Sequence, residues 1–212
     1  MKIFGHPMST CTRKVLATLH EKNASFDLVV VDITKGAHKQ AEHLAHQPFG
    51  QIPALQDGDY KLFESRAMIR YLDQVLPGAP LAPTDPKGRG LMEQWISVET
   101  SNFTPHAMAL IYQLFFAPMR GNQPDQAKVD EALPKLAKAV EVLDKHLARG
   151  PHLLGEAFSL ADICYMPYIE YVTQTSAKGA VLDHANVAAW WKRISARQYF
   201  LRKPLGSCPM FT

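Results

Sequence analysis

Prolines at residues 77, 80, 83 and 86, with Gly78 directly after the first of them, divide this chain more sharply than any other feature. Proline locks φ at about −65° and has no N–H to donate. A proline at every third position therefore cannot continue a helix or sit inside a sheet, and favours an extended connector. The two sides of this connector differ in kind. Before it, β-branched and aromatic runs alternate with helical periodicity; after it there is almost no strand signal. The chain reads as α/β plus all-α, with an N-terminal domain over residues 1–77, a linker over 78–88 and a helical domain over 89–212. A length of 212 residues is enough to bury a core in each.

The N-terminal pattern is specific. Residues 2–4 read as a strand that turns through Pro7 into a helix over about residues 12–22. Phe26-Asp27-Leu28-Val29-Val30-Val31 reads as a buried strand, parallel to the first if the helix crosses between them. Residues 35–46 are polar and fit an irregular helix. Asp57-Gly58-Asp59, set between Ile52-Pro53-Ala54-Leu55-Gln56 and Lys61-Leu62-Phe63, is a hairpin signal. A helix follows, with Ser65 as its expected N-cap and Ala67, Ile69, Tyr71, Leu72, Val75 and Leu76 as its apolar face. The order is β-α-β then β-β-α.

Beyond the linker, a long helix rich in Met and aromatics is expected over about residues 90–116, and another over about 126–147. In the second, Val129, Leu133, Leu136, Val140, Leu143 and Leu147 recur at coiled-coil spacing, but the run is short and carries Pro134. A kinked bundle helix is the better reading. Ser159 with Asp162 three residues on forms a capping box, with Phe158 and Ile163 as staple residues. The helix it opens carries Cys164, Met166, Ile169 and Tyr171 and is expected to be buried; a last helix, over about 186–197, carries Trp190 and Trp191.

The strand-to-helix turn before residue 12 concentrates chemistry. It holds Ser9, Thr10 and Cys11 where unpaired N–H groups and the positive end of a helix dipole favour an anion. A thiolate there has a lowered pKa, whether it belongs to Cys11 or to a ligand. Other classes recede. A net charge of +3 with scattered basic residues argues against a nucleic-acid partner. Three widely spaced cysteines (Cys11, Cys164, Cys208) form neither a disulfide framework nor a zinc site, and fit a reducing compartment. His38, His43 and His46 lack the carboxylate or cysteine that would complete a metal site. A strand starting at once leaves no room for a signal segment, and no apolar run nears the roughly 18 residues of a membrane span. A soluble, cytoplasmic protein without a metal is expected.

Longer stretches resemble one family. Phe4-Gly5-His6-Pro7 with Ser9 and Thr12-Arg13, Leu19-His20-Glu21-Lys22-Asn23, and His38-Lys39 are similar to the cytosolic glutathione transferases, most of all the phi class. So are Pro48-Phe49-Gly50-Gln51-Ile52-Pro53-Ala54-Leu55 with Asp57-Gly58, and Leu62-Phe63-Glu64-Ser65-Arg66-Ala67. Leu154-Gly155-Glu156 with Phe158-Ser159-Leu160-Ala161-Asp162 carries the likeness into the second half. The resemblance implies a thioredoxin-like domain followed by a helical domain, a homodimer, and conjugation of glutathione to apolar electrophiles. Glutathione is then a co-substrate and no cofactor is required. Some peroxidase activity is a further implication.

The resemblance also distributes roles. Ser9 would donate its hydroxyl to the glutathione sulfur. A thiol of pKa about 8.5 is roughly 3% ionised at pH 7, and a two-unit lowering, about 2.7 kcal/mol, makes it mostly thiolate. Pro53 would follow a cis bond, so that Ile52 turns its backbone toward the tripeptide. Glu64 would take the γ-glutamyl ammonium and Ser65, at a helix N-terminus, the γ-glutamyl carboxylate. His38, Lys39 and Gln51 are candidates for the glycyl carboxylate and peptide backbone, with Lys39 the better charge partner because histidine is mostly neutral at pH 7. The electrophile would meet Met8, Phe115 and Met119, with Phe103, His106, Tyr112 and Phe116 as further candidates that equally suit a bundle core. Phe49 resembles the residue that inserts into a partner subunit.

Two rivals stay open. Thioredoxin-like redox proteins carry Cys-x-x-Cys at this turn, and Ser9-Thr10-Cys11-Thr12 has hydroxyl residues at both cysteine positions. Dithiol exchange is excluded there, yet Cys11 itself could serve a thiol transferase or dehydroascorbate reductase, or be a small buried hydrophobe. A non-catalytic carrier of apolar ligands is the second rival.

Overall fold

In the computed structural model, residues 1–197 and residue 199 are described. They fall into two compact units, Met1–Leu81 with Tyr199, and Ala82–Arg197. Cys208 lies outside the described residues.

The first unit is the β-α-β then β-β-α arrangement read from the sequence. Its elements are β1 (Lys2–Gly5), α1 (Thr10–Glu21), β2 (Asp27–Val30), α2 (Ala41–Leu44), β3 (Ala54–Asp57), β4 (Tyr60–Phe63) and α3 (Ser65–Val75). One tight turn, Ala37–Lys39, precedes α2 in the polar segment where an irregular helix was expected. The sheet order is β2-β1-β3-β4, with β1 parallel to β2 and antiparallel to β3, and β3 hairpin-paired to β4. This is the thioredoxin-like sheet that the resemblance implies.

Two expectations about this unit need correction. The valine run of β2 is not a buried strand: β2 is the sheet edge, and Val29 and Val30 are exposed. A β-branched run signals extended backbone but cannot tell a central strand from an edge, which tertiary pairing alone decides. The apolar face of α3 is Met68, Ile69 and Leu72, not a stripe that includes Val75, which is exposed. Tyr71 instead donates its hydroxyl to Asp57 at 2.8 Å, tying α3 to the hairpin.

Beyond α3, the proline segment is anchored to the first unit by a buried ion pair. Lys22 Nζ lies 2.8 Å from Asp73, donates to the Ala79 carbonyl, and Asp73 also accepts from Leu81 N–H. Breaking such a desolvated pair on one side strands the other charge, which is why its removal is far costlier than its net worth.

The second unit is helical, as expected. Its first helix begins earlier and ends later than residues 90–116: α4 (Pro86–Val98), α5 (Thr104–Ile111) and α6 (Ala117–Met119) form one run interrupted by π-helical turns at Glu99–Phe103 and Tyr112–Phe116. Pro86 is therefore a helical residue at N1, with Asp85 as its cap, and not part of an extended connector. Each π turn is followed by a proline, Pro105 or Pro118. A proline ring crowds the carbonyl four residues back and donates no N–H, and a widened turn accommodates both faults.

The remaining helices are α7 (Gln126–Leu147), α8 (Leu160–Val172), α9 (Gly179–Leu182) and α10 (Ala185–Ile194). The expected bounds of α7 hold, Pro134 included, but α10 ends at Ile194, short of residue 197. α8 is buried along its whole length, which explains why its sequence has no polar face. The capping box is present: Ser159 N–H and Oγ each donate to Asp162 at 2.9 Å. Asp162 also accepts from Leu153 N–H at 3.1 Å and Trp190 Nε1 at 2.9 Å, so one carboxylate joins the start of α8 to the preceding loop and to α10. Burial pushes this carboxyl above its ordinary range, and the four donors hold it back.

Candidate active site

The register of the sheet gathers the site residues of the first unit. Phe4 pairs with Ala54 and Ala54 with Phe63, while Gly5 lies beside Val30. The next step past that row is the turn of residues 6–9, the Ile52–Pro53 peptide and Glu64-Ser65. All three leave the same end of the sheet, and both α1 and α3 begin there. Residues remote in sequence thus share one edge because β3 runs antiparallel to both β1 and β4.

Ser9 is the N-cap of α1, half-buried, with φ −74° and ψ 124°. Its Oγ accepts the Thr12 N–H at 3.2 Å. A hydroxyl that accepts one N–H still has its own O–H to donate, and accepting polarises that O–H. The turn below it is braced on every side. Ser9 N–H donates to the His6 carbonyl at 2.9 Å, His6 N–H reaches Thr12 Oγ1 at 3.4 Å, and Arg13 Nη1 reaches the Pro7 carbonyl at 3.3 Å. The His6 ring accepts the Met8 N–H on Nδ1 at 3.2 Å. A Cβ at Gly5 would lie 2.7 Å from Thr12 Oγ1, so only glycine lets the strand end this close to α1. No acidic residue stands in the first turn of α1, and the buried Arg13 adds positive charge. The turn favours an anion near Ser9.

Cys11 is the second residue of the same helix and half-buried. Met8 is buried in this unit. The Ile52–Pro53 bond is cis, as the resemblance implied. Lys39 Nζ donates to the Phe49 carbonyl at 3.0 Å, which brings the 37–40 turn onto the loop before Pro53. The approach is close: Gly50 has φ +61°, and a Cβ there would sit 2.9 Å from the His38 carbonyl. His38 lies half-buried in that turn.

Gln51 is held from both sides, by His43 Nε2 on its carbonyl at 2.7 Å and by Gln47 Oε1 under its N–H at 3.0 Å. His43 and Gln47 were not singled out as supports in the sequence, because each acts on a residue four or eight positions away across an irregular loop. His46 stacks on Phe4 with ring centroids 4.1 Å apart, and burial lowers its pKa, aided by nearby Lys61 and His43. Among the described residues no set of His, Cys, Asp and Glu could hold a metal ion.

The helix α3 starts at Ser65, so the expected N-cap is displaced by one: Glu64 occupies the cap position, with φ +69° and no side-chain cap bond. Such a φ in a non-glycine residue is uncommon and costs of order 1–3 kcal/mol, which marks the position as held by its surroundings. Glu64 is exposed and Ser65 is buried at the first turn, where N–H groups lack intrahelical partners. An anion would be received there for the same reason as at α1.

In the second unit, Phe115 and Phe116 sit half-buried in the second π turn and both pack against Tyr171, at 4.8 Å and 5.3 Å between centroids. Met119 is 37% exposed and Tyr112 50%. Phe103 is buried against Tyr165 and belongs to the core, which removes it as a ligand-facing candidate.

Residues 1–74 match the family model described as glutathione S-transferase, N-terminal domain, and residues 104–198 the one described as glutathione S-transferase, C-terminal domain. The chain belongs to the glutathione S-transferase family. It is 39% identical to glutathione S-transferase F13 of Arabidopsis thaliana over 205 residues, 95% of this chain and 94% of the relative. The crystal structure of glutathione transferase F7 from Populus trichocarpa superposes with a TM-score of 0.89 at 40% identity, covering 94% of this chain and 95% of that one. Glutathione S-transferase I from mais, in complex with an atrazine glutathione conjugate, has a TM-score of 0.88 at 30% identity, with 99% and 97% covered. These relatives are plant phi-class transferases, so this enzyme is a phi-class glutathione S-transferase with glutathione as co-substrate. Among its described residues no helix is long and apolar enough to cross a membrane.

Proposed function

We propose that this transferase activates glutathione by donating the Ser9 hydroxyl hydrogen bond to its thiolate and delivers that thiolate to apolar electrophiles. The observation that carries the reading is that Ser9 Oγ is occupied as an acceptor by Thr12 N–H, leaving its one proton for the sulfur. The α1 dipole and that hydrogen bond act together on the charged form of the thiol, which lowers its pKa. The electrophile then meets a nucleophile that is ionised at neutral pH and held in place, so catalysis is thiolate stabilisation plus proximity. Glu64 and Ser65 take the γ-glutamyl ammonium and carboxylate, Ile52 and Gln51 the peptide backbone, and Lys39 with His38 the glycyl carboxylate. The same thiolate can attack an organic hydroperoxide, giving the alcohol and a glutathione sulfenic acid that a second glutathione converts to disulfide and water. Cys11 and Cys164 are not joined in a disulfide, which supports a cytoplasmic setting.

Cys11 discriminates this reading from a thiol transferase. Conjugation of a chloronitroarene should be kept within about threefold in Cys11→Ala, since a thiol outside the reaction contributes only packing. Loss of turnover in Cys11→Ala with full turnover in Ser9→Ala would assign the chemistry to the cysteine. A carrier without catalysis would retain glutathione but conjugate nothing.

The enzyme is proposed to work as a homodimer with Phe49 as an anchor. Phe49 is 66% exposed and leans only edge-on against Phe63 at 6.1 Å. Such an aromatic is costly to leave in water and suits a partner's pocket. Phe49→Lys should weaken dimerisation at least about thirtyfold, seen as monomer in sedimentation at micromolar concentration. An unchanged sedimentation coefficient would remove Phe49 from the interface.

A further inference from the structure

We propose that His6 is a positioning residue of this transferase: its unprotonated Nδ1, by holding the Met8 N–H, fixes the turn on which Ser9 stands. The inference rests on the reading of Ser9 as the group that meets the glutathione sulfur.

His6 is joined to the turn at three atoms. Its carbonyl accepts Ser9 N–H at 2.9 Å, its own N–H reaches Thr12 Oγ1 at 3.4 Å, and its ring Nδ1 accepts Met8 N–H at 3.2 Å. The last bond runs from a side-chain acceptor to the N–H two residues on, which is the pattern an Asx turn makes with Asn or Asp. An N–H donor requires a lone pair on Nδ1, so the ring is neutral with its proton on Nε2. Asparagine would offer the same acceptor with nothing to titrate. Histidine makes the turn depend on pH, and the turn carries Met8 and Ser9 together.

Among the described residues the charges around the ring are few. α1 sends the uncharged Thr12 hydroxyl to the His6 N–H, and Arg13 is directed to the Pro7 carbonyl. Just past β2, Asp32 faces the ring and favours its cation; Thr34 and Lys35 keep that carboxylate ionised. Burial outweighs Asp32 and lowers the His6 pKa below 6.5. The folded chain thus binds this proton more weakly than the unfolded chain. The stabilisation is complete above about pH 6.5 and is lost as pH falls through the lower folded value.

Two protons then govern the acid limb of kcat/KM: one returns to the glutathione thiolate, the other to His6 Nδ1. The test is the pH dependence of kcat/KM for native, His6→Asn and His6→Leu enzyme, with the absorbance of enzyme-bound glutathione thiolate followed in parallel. The native limb should steepen beyond one proton as pH falls below the ordinary imidazole value. His6→Asn should keep neutral-pH activity within about threefold and fall with a one-proton slope, whereas His6→Leu should be about tenfold less active. Equal slopes in native and His6→Asn enzyme, or an Asn variant as impaired as the Leu variant, would overturn the proposal. Failure of the Ser9 reading looks different: Ser9→Ala would then leave the thiolate titration where it was, whatever the slopes. If His6→Leu does not fold, the slope of His6→Asn still decides.

Discussion

Ser9→Ala is expected to lower kcat/KM at neutral pH by about tenfold to a hundredfold, and to move the thiol titration of bound glutathione upward by one to two units, roughly. The physical reason is the loss of a hydrogen bond made to the charged form of the sulfur. The same change removes the α1 cap, because Ser9 Oγ also receives the Thr12 N–H, and that alone destabilises by about 1 kcal/mol. The two losses are separable. Glycine at an N-cap costs only a few tenths of a kcal/mol, roughly, yet has no hydroxyl either. Ser9→Gly should therefore be nearly as stable as the native enzyme and as inactive as Ser9→Ala. If turnover instead follows the unfolding midpoint across the two variants, Ser9 is a cap and nothing more. Thiolate absorbance of bound glutathione against pH is the direct measurement.

The largest effect on stability is expected at Asp162, far from any chemistry. Asp162→Ala deletes the acceptor for four donors: Ser159 N–H, Ser159 Oγ, Leu153 N–H and Trp190 Nε1. Asp162 itself is fully buried, as is Leu153, and Trp190 is among the largest buried side chains. Buried donors left without partners cost about 1–3 kcal/mol each. Ser159 Oγ can turn elsewhere, but Leu153 N–H and the indole cannot, so the loss should reach about 3–6 kcal/mol. Ser159→Ala, which removes the cap alone, should cost about 1 kcal/mol. Urea unfolding of both variants measures the contrast. Comparable midpoints would mean that the carboxylate does no more than complete the capping box.

Much of this was legible in the chain. The β-α-β then β-β-α order, the hairpin at Gly58, the bounds of α7 and the capping box at Ser159 are all signals carried by a few neighbouring residues, and each is found where it was read. The polar residues along 38–65 were legible as strings. What could not be read is where one string meets another. The exposed side of β2, the Gln51 carbonyl under His43 and the Met8 N–H on the His6 ring join residues whose spacing carries no periodic signal. The Glu64 cap is a backbone choice that propensity argues against and its surroundings impose, whereas the π turns before Pro105 and Pro118 accommodate prolines set inside a long helical run.

The amino-acid order by itself determined the kinds and succession of elements, the proline division, and an inventory of polar groups: a hydroxyl at a helix start, an acid and a serine at another, a lysine between. Periodicity and caps are local free energies, so they survive without knowledge of the fold. Only the tertiary structure decided that β1, β3 and β4 end in one row, which sets Ser9, Ile52 and Ser65 along a single edge. It also decided that the Ser9 hydroxyl is already engaged as an acceptor, and that a neutral His6 ring steadies its turn. Those are pairings between distant or irregular segments, and strand register with side-chain burial, not sequence spacing, is what selects them.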